Sequence, residues 1–479
     1  MEQRQQRPIG GSGRLSRRSM LGAFGAGAGL WLTAALAGCQ SAAPAATSSP
    51  AAATNAGSAG TAATPAGAAT SASAAPTTAP AQSAASSSTK AEIECGSYFN
   101  AGPRLDFMNQ VLAQFGKDNP NVTVKFQPVP SAQYWDKMQV RLASGTAPDV
   151  LLGSGATFLN FAEKGGWKEV DNYVKSDKIN LDGYYQQPKI FNWQGKSYGL
   201  PFMENVTLFL YNKTLFKNAG VDEPTDKWTW DDMLTAAQKL TKPGQYGLII
   251  HDGFEFNWWT FIWSHGGDTL SSDMKKTTLE QPETLEAFQW LVDLKQKYKV
   301  SPAEGDTTLG TGDDFMTGKV AMESQGSGSL GNWISGIKDF EWDLFYVPLD
   351  PKTNKRVCSS NGNPYLMTTD TKAPDQAWLF LKHLASPFTQ NLIGQLKIAV
   401  PTLMSVATDT NNYLKPPPAH VSYVNENLKI GHDDEFHKLW LDWYNEITKD
   451  MKLAFSGEKP VADAAKMADE AGDRILTQE

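Results

Sequence analysis

The chain has 479 residues, 41% of them apolar and 20% charged, with a formal net charge of −8. Fifteen Trp, 22 Phe and 14 Tyr supply enough aromatic surface for large cores, with rings left over to line a cleft. The acidic balance argues against a nucleic-acid partner, whose phosphates require clustered Lys and Arg.

The N-terminal ninety residues do not read as folded protein. Residues 1–38 carry Arg4, Arg7, Arg14, Arg17 and Arg18, followed by a weakly apolar Gly/Ala/Leu stretch at 21–36. That stretch is shorter than the roughly 20 residues a bilayer span needs, and small residues follow it, so 1–38 read as an export signal. Ser16-Arg17-Arg18-Ser19-Met20-Leu21 resembles the twin-arginine export motif, with an ordinary basic signal region as the alternative. Leu36-Ala37-Gly38-Cys39 resembles a bacterial lipobox, which implies cleavage before Cys39 and a diacylglycerol on its sulfur. Without the signal's five arginines and one glutamate, 38 basic residues face 50 acidic ones, a balance of −12.

Residues 40–89 are almost wholly Ala, Ser, Thr, Pro and Gly. Such a segment buries too little apolar surface to offset its ordering entropy and reads as a disordered tether. About fifty flexible residues span an r.m.s. distance on the order of 40 Å. The expected place is therefore outside the membrane, either lipid-anchored to its outer face or periplasmic. About 390 residues remain, more than one core usually organises, so two lobes are expected.

Ala91–Phe99 is β-rich, and Phe107, Val111 and Phe115 then mark one helix face. Asn119-Pro120-Asn121 turns into the alternating run 122–126. A second helix opens at Ser131 with Tyr134, Met138 and Leu142 on one face, and the strand 150–152 follows. Strand–helix–strand–helix–strand at this spacing predicts a parallel sheet covered by helices, an α/β fold. Further on, Thr229 and Asp232 form a capping-box pattern ahead of a helix at 230–240. Gly247-Leu248-Ile249-Ile250 reads as another strand. Cys95 and Cys358 either pair or stand as two buried thiols, because sequence cannot show their proximity.

Six blocks resemble the extracellular solute-binding proteins of family 1, the periplasmic-binding group that includes maltose-, glycerol-phosphate- and oligosaccharide-binding members. In chain order they are ASGTAPDV at 143–150, GKSYGLP at 195–201, LYNKTLFKNAG at 210–220, TWDD at 229–232, FMTGKVAM at 315–322 and AWLFLK at 377–382. The resemblance implies a two-lobe periplasmic-binding-protein fold with a hinge and an interlobe ligand cleft. It places a first crossing near Glu204–Thr207 and a return near Val357–Asn361. Lobe 1 would be 91–204 plus 357–409, and lobe 2 would be 205–356 plus 410–479. The function implied is that of an ABC-importer substrate-binding lipoprotein, a monomer without cofactor or metal that hands a sugar to membrane permease subunits.

A pyranose offers an apolar C–H face and a rim of hydroxyls, so its site needs aromatic planes and short polar side chains. Such sites favour loops at the carboxyl ends of strands. Tyr98, Phe99 and Asn100 follow the first strand, and Ser154 to Thr157 follow the third. That second loop is small, whereas the maltooligosaccharide branch carries bulky and acidic residues there, so maltose-like specificity is in doubt. Glu204 and Asn205 sit at the implied crossing. Phe254, Phe256, Asn257, Trp258, Trp259 and Trp263 form the densest aromatic cluster, with Trp258 or Trp259 as the expected stacking platform. Gly326 and Ser327, with Trp333 beyond, end a strand, although the aromatic that some relatives carry after the glycine is missing. Asn361 or Tyr365 in SSNGNPY completes the set. For each the plain alternative is packing, or a solvated turn.

An anchored glycosidase is the rival class, but it needs facing acids, and Glu204 has no obvious partner in sequence. No H-E-x-x-H, G-x-S-x-G or Cys/His metal spacing occurs. His432-Asp433-Asp434-Glu435 reads as a helix cap rather than a ligand cluster. A receptor with other cargo stays open: a polyamine, a ferric ion suggested by Tyr184-Tyr185, or a phosphate ester. For the last, Arg104, Arg141, Arg356 and Arg474 are few and scattered.

Overall fold

The computed structural model describes residues 90–185, 191–303, 306 and 313–478. The export signal, Cys39 and the tether at 40–89 lie outside the described residues.

The first half follows the predicted alternation. Strands β1 (Ala91–Ser97), β2 (Val122–Pro128) and β3 (Val150–Leu152) are parallel neighbours in the order β2-β1-β3. They are joined by helices α1 (Gly102–Asp118) and α2 (Ser131–Ala143), and α3 (Gly155–Glu163) leaves β3. Phe107, Val111 and Phe115 are the buried stripe of α1, as their spacing of four predicts. Tyr134 anchors α2 by donating its hydroxyl proton to Leu152 O at 2.7 Å. Arg141 clamps Glu94 of β1 with two nitrogens at 2.5 and 3.0 Å.

The sheet continues through β4 (Gly199–Asn212) and β8 (Cys358–Met367), which run antiparallel to each other, and on to β6 (Met322–Gly326) and β5 (Ile249–Ile250); β4 is also antiparallel to β6, and β8 to β3. Short strands β7 (Trp342–Phe345) and β9 (Val400–Pro401) pair with β4, and β10 (Gly431–Asp433) pairs with β8. β5 is the inner half of the strand expected at 247–250. Every residue of β4 is buried, which its apolar run GLPFMENVTLFLYN requires of a strand covered on both faces.

Two apolar cores share this one sheet. Leu200, Phe202 and Met203 of β4 belong to the first, whereas Val206, Leu208 and Phe209 belong to the second. β8 passes the other way, with Cys358 in the second core and Tyr365 to Met367 in the first. The chain changes core a third time between Ala399 and Val400, ahead of the boundary after 409 that the sequence suggested. The polar pair Glu204-Asn205 and the polar run Ser359–Asn363 fall at these passages, where neither core takes an apolar side chain.

Helix α4 (Trp230–Leu240) carries the full capping box: Thr229 Oγ1 accepts from Asp232 N–H at 3.3 Å, and Asp232 Oδ2 accepts from Thr229 N–H at 2.9 Å. Helix α5 (Trp259–His265) is wholly buried, and α6 (Trp440–Phe455) and α7 (Val461–Leu476) pack on each other in the second core. Cys95 and Cys358 are free and buried, one in each core, so the two-thiol alternative is the one realised. Among the described residues no helix is long and apolar enough to cross a membrane.

Candidate functional site

A cavity of about 500 Å³ lies where the two cores meet. Its base is built from the core-changing strands: Asn205 of β4 and Asn361 and Asn363 of β8. Asn205 Nδ2 donates to Asn363 Oδ1 at 2.8 Å, and Asn363 Nδ2 donates to Gly153 O at 3.0 Å. Asn361 Nδ2 donates to Asp434 Oδ2 at 2.8 Å. These bonds fix the amide orientations before any ligand arrives.

The first core contributes Tyr98 after β1, Arg104 from α1, Trp135 from α2, and Ser154 and Thr157 at the start of α3. The Arg104 guanidinium lies 5.5 Å from the centre of the Tyr98 ring and 5.3 Å from that of Phe99. Its Nη2 donates across to Gly328 O at 2.9 Å, a bond between elements of different cores.

The second core contributes the segment 252–257, the end of β6, and Trp440 and Tyr444 of α6. Phe256 has φ +60°, a left-handed conformation that costs an aromatic residue of order 1–3 kcal/mol and persists only where its surroundings impose it. Here they do. Phe256 N–H donates to Ser359 Oγ at 3.0 Å, and Ser324 Oγ donates to Phe256 O at 3.2 Å and to Asn257 Oδ1 at 2.7 Å. Gly326 is required beside it, since a Cβ there would stand 2.9 Å from the Phe256 ring.

Two carboxylates line the cavity, both from this segment. Asp252 is neutralised by Lys295 at 2.7 Å. Glu255 has no hydrogen-bond or ion-pair partner for its carboxylate among the described residues, and burial pushes that carboxyl up to about 7. Asp434, just behind the wall, accepts from Ser359 Oγ and Asn361 Nδ2; burial, then the charge of Glu255, holds it well above the usual carboxylate range. Among the described residues, no group of three or more His, Cys, Asp or Glu side chains is placed to hold a metal ion.

Of the residues singled out in the sequence, Tyr98, Ser154, Thr157, Asn205, Gly326 and Asn361 line this cavity together. Others do not reach it. Phe99 is fully buried edge-on to Phe107, and Asn100 is exposed off the wall. Glu204 points away from Asn205, as successive strand residues must, and the residue is 2% exposed. Neither expected stacking platform is available: Trp258 stacks on Phe455 at 5.0 Å, and Trp259 stacks on Trp263 at 5.0 Å, both fully buried. Ser327 accepts from Val206 N–H at 3.1 Å, and Trp333 Nε1 donates to Asp313 in the second core. Tyr365 is turned into the first core by a β-bulge after Asn363, with its hydroxyl on Met108 Sδ. Asp433 to Glu435 cap no helix; Asp434 braces β8 instead.

The rings that do face the cavity are Tyr98, Trp135, Phe256, Phe436 and Tyr444, with one face of Trp440 behind them. Trp135 carried a legible signal, a large aromatic one position off the buried Tyr134–Met138 face. Arg104, Glu255 and the α6 pair carried none.

Comparison with known proteins agrees with this architecture. Residues 101–391 match the family model described as "Bacterial extracellular solute-binding protein". A binding protein of Brucella abortus is 26% identical over 64% of this chain and 76% of its own. The maltotriose-binding protein of Pyrococcus abyssi is 25% identical over 66% of this chain and 69% of its own. Among solved structures, an ABC substrate-binding protein of Listeria monocytogenes in complex with cycloalternan superposes with a TM-score of 0.74. It is 24% identical, over 81% of this chain and 98% of that one, a likeness of fold. Two cores on one shared sheet, a polar-based cleft between them and a family match over most of the folded part lead to one assignment: the chain belongs to the bacterial extracellular solute-binding proteins.

Proposed function

We propose that the protein is the capture receptor of an ABC importer, taking a sugar or oligosaccharide into the cleft between its cores and presenting it to membrane permease subunits. The observation that carries this reading is the cleft's lining: aromatic faces on both walls and pre-oriented amides at the base. Rings stack on the C–H face of a pyranose, and amides both donate to and accept from its hydroxyls. A cavity of about 500 Å³ is in the size range of small-molecule sites. That the maltotriose-binding relative and the cycloalternan-bound structure handle sugars supports the same class.

The receptor binds without bond cleavage. A glycosidase sets two carboxyls on opposite sides of the scissile bond. Here both lining acids leave one short segment, and Asp252 is held in an ion pair with Lys295. Ligand captured on one core's wall draws in the other, and cross-core bonds such as Arg104 to Gly328 O favour the engaged arrangement. The receptor acts as a monomer, exported by the twin-arginine route and held outside the cell by lipid on Cys39, with residues 40–89 as its tether.

Titration of the purified protein with mono- and oligosaccharides, followed by tryptophan fluorescence, tests the cargo, because Trp135 and Trp440 border the cleft. Saturable quenching or enhancement by a sugar is expected; silence across the panel refutes sugar cargo. Mass spectrometry of the mature N-terminus from membranes tests the anchor. A diacylated Cys39 is expected, and an unmodified N-terminus upstream of it overturns that part.

A further inference from the structure

We propose that Glu255 makes the cleft selective, among sugars, for those that carry a protonated amine. This rests on the sugar-receptor reading and narrows it.

The charges around the cavity are not all paired. Glu255 faces the cavity half-buried, with no cationic partner among the described residues. The other lining acid, Asp252, already has Lys295. Arg104 is the one cation lining the cavity among the described residues; its guanidinium donates to Gly328 O and lies over the Tyr98 and Phe99 rings, and it forms no ion pair with Glu255. Behind the wall, Asp434 adds a second buried carboxyl close enough for the two to repel.

The backbone holds Glu255 in this unfavourable place. Phe256 is in the left-handed region, and three side-chain hydrogen bonds from Ser359 and Ser324 lock the segment around it. Strain kept at a ligand cleft marks a position fixed for binding. Tyr98 and Tyr444 line the same cavity and both feel the Glu255 charge, so the carboxylate shares the cleft with aromatic rings. A carboxylate among aromatic faces suits an ammonium group, through a charge-assisted hydrogen bond and cation–π attraction.

A neutral sugar closing over Glu255 removes water from a carboxylate and returns one hydroxyl bond, leaving the charge uncompensated. An aminated sugar compensates it and relieves the repulsion with Asp434. The preference must weaken as Glu255 takes up a proton. Burial pushes this carboxyl up to about 7. The titratable groups that feel its charge are Tyr98 after β1, Asp434 beyond β10 and Tyr444 from α6, and the other charged groups of the cavity are Arg104 from α1 and the Asp252–Lys295 pair. Affinity for an amine therefore falls by about tenfold between pH 7 and pH 5.5, while a neutral sugar lacks this dependence.

Calorimetric titration of the full mature chain decides it, with matched pairs as probes: glucosamine and glucose, deacetylated and N-acetylated chitobiose, aminated and parent maltooligosaccharides. The amine member of a pair is expected to bind at least about tenfold tighter at pH 7. That ratio should shrink about tenfold at pH 5.5 and collapse toward one in Glu255→Gln at both pH values. The wild-type pH series needs no variant and reads the same carboxylate. Equal affinities within every pair at pH 7, or a preference unchanged by Glu255→Gln or by acid, overturns the inference and leaves the sugar receptor standing. Binding of no member overturns both.

Discussion

Gly155 opens α3 on the first core, and the Phe436 ring comes against it from the segment that precedes α6 on the second. A Cβ added at Gly155 would stand 2.2 Å from Phe436 Cδ2 and 2.5 Å from Cε2, where ordinary contact begins at 3.4 Å. The ring must retreat by about 1.2 Å, the difference between 3.4 and 2.2 Å. It has little freedom to do so, because Trp440 lies edge-on 5.1 Å away and Trp259 edge-on 6.3 Å away. Overpacking of this kind costs about 1–3 kcal/mol. The cost falls on the arrangement in which the cores approach, and not on either core alone. Gly155→Ala is therefore expected to weaken ligand binding by roughly 5- to 150-fold. The thermal midpoint of the ligand-free protein should be nearly unchanged. Isothermal titration and scanning calorimetry on the same preparations read the two quantities. A midpoint lowered by several degrees with unaltered affinity would refute the reasoning, since the contact would then belong to every state of the molecule.

Three other outcomes follow from the same geometry. Trp135→Ala removes a half-buried ring from the cleft wall and should weaken sugar binding by about tenfold with less effect on unfolding than loss of a core indole, by titration and denaturant melts. Trp258→Ala should do the reverse: loss of a fully buried indole stacked on Phe455 costs about 3–5 kcal/mol in guanidinium unfolding, with the affinity of the folded fraction retained. Glu204 is buried and its carboxyl is held well above the ordinary range, by burial first and then by the charges of Asp433 and Asp434. A raised acid stabilises the fold fully below its unfolded pKa, about 4.3, and loses that contribution as pH rises through the folded value. The thermal midpoint of Glu204→Gln relative to wild type should therefore rise from pH 4.5 to pH 8, and a difference independent of pH would contradict the assignment.

The sheet's first half was legible because its two periods are clean: every fourth residue for α1 and α2, alternation for β2, and Gly or Pro between them. The capping box at Thr229 was equally plain, since three residues decide it locally. The cleft was legible where strand ends fix it, at Tyr98, Ser154 and Gly326; Asn361 reaches it from within β8, not from the turn its polar neighbours suggested. It failed where one residue of offset matters. Adjacent in sequence, Glu204 and Asn205 face opposite sides of β4, and only the cores reveal which side is the cleft. The aromatic cluster misled for a related reason. The kink at Glu255 and Phe256 breaks helical periodicity, so Phe256 turns to the cleft and Trp258 and Trp259 turn into the core. Arg104, Trp440 and Tyr444 arrive from helices more than three hundred residues apart, a juxtaposition that tertiary packing alone creates.

β4 and β8 run unbroken from one core to the other, hydrogen-bonded to each other across the passage. Rocking of one half against the other therefore loads a torsion spring of these two strands, with β9 paired alongside β4 at the third passage. Asn205, Asn361 and Asn363 are coils of that spring and also the base of the cleft. A molecule grasped there stiffens the very element whose twist sets how far the jaws stand apart, so sensing the guest and setting the gape are one mechanical event.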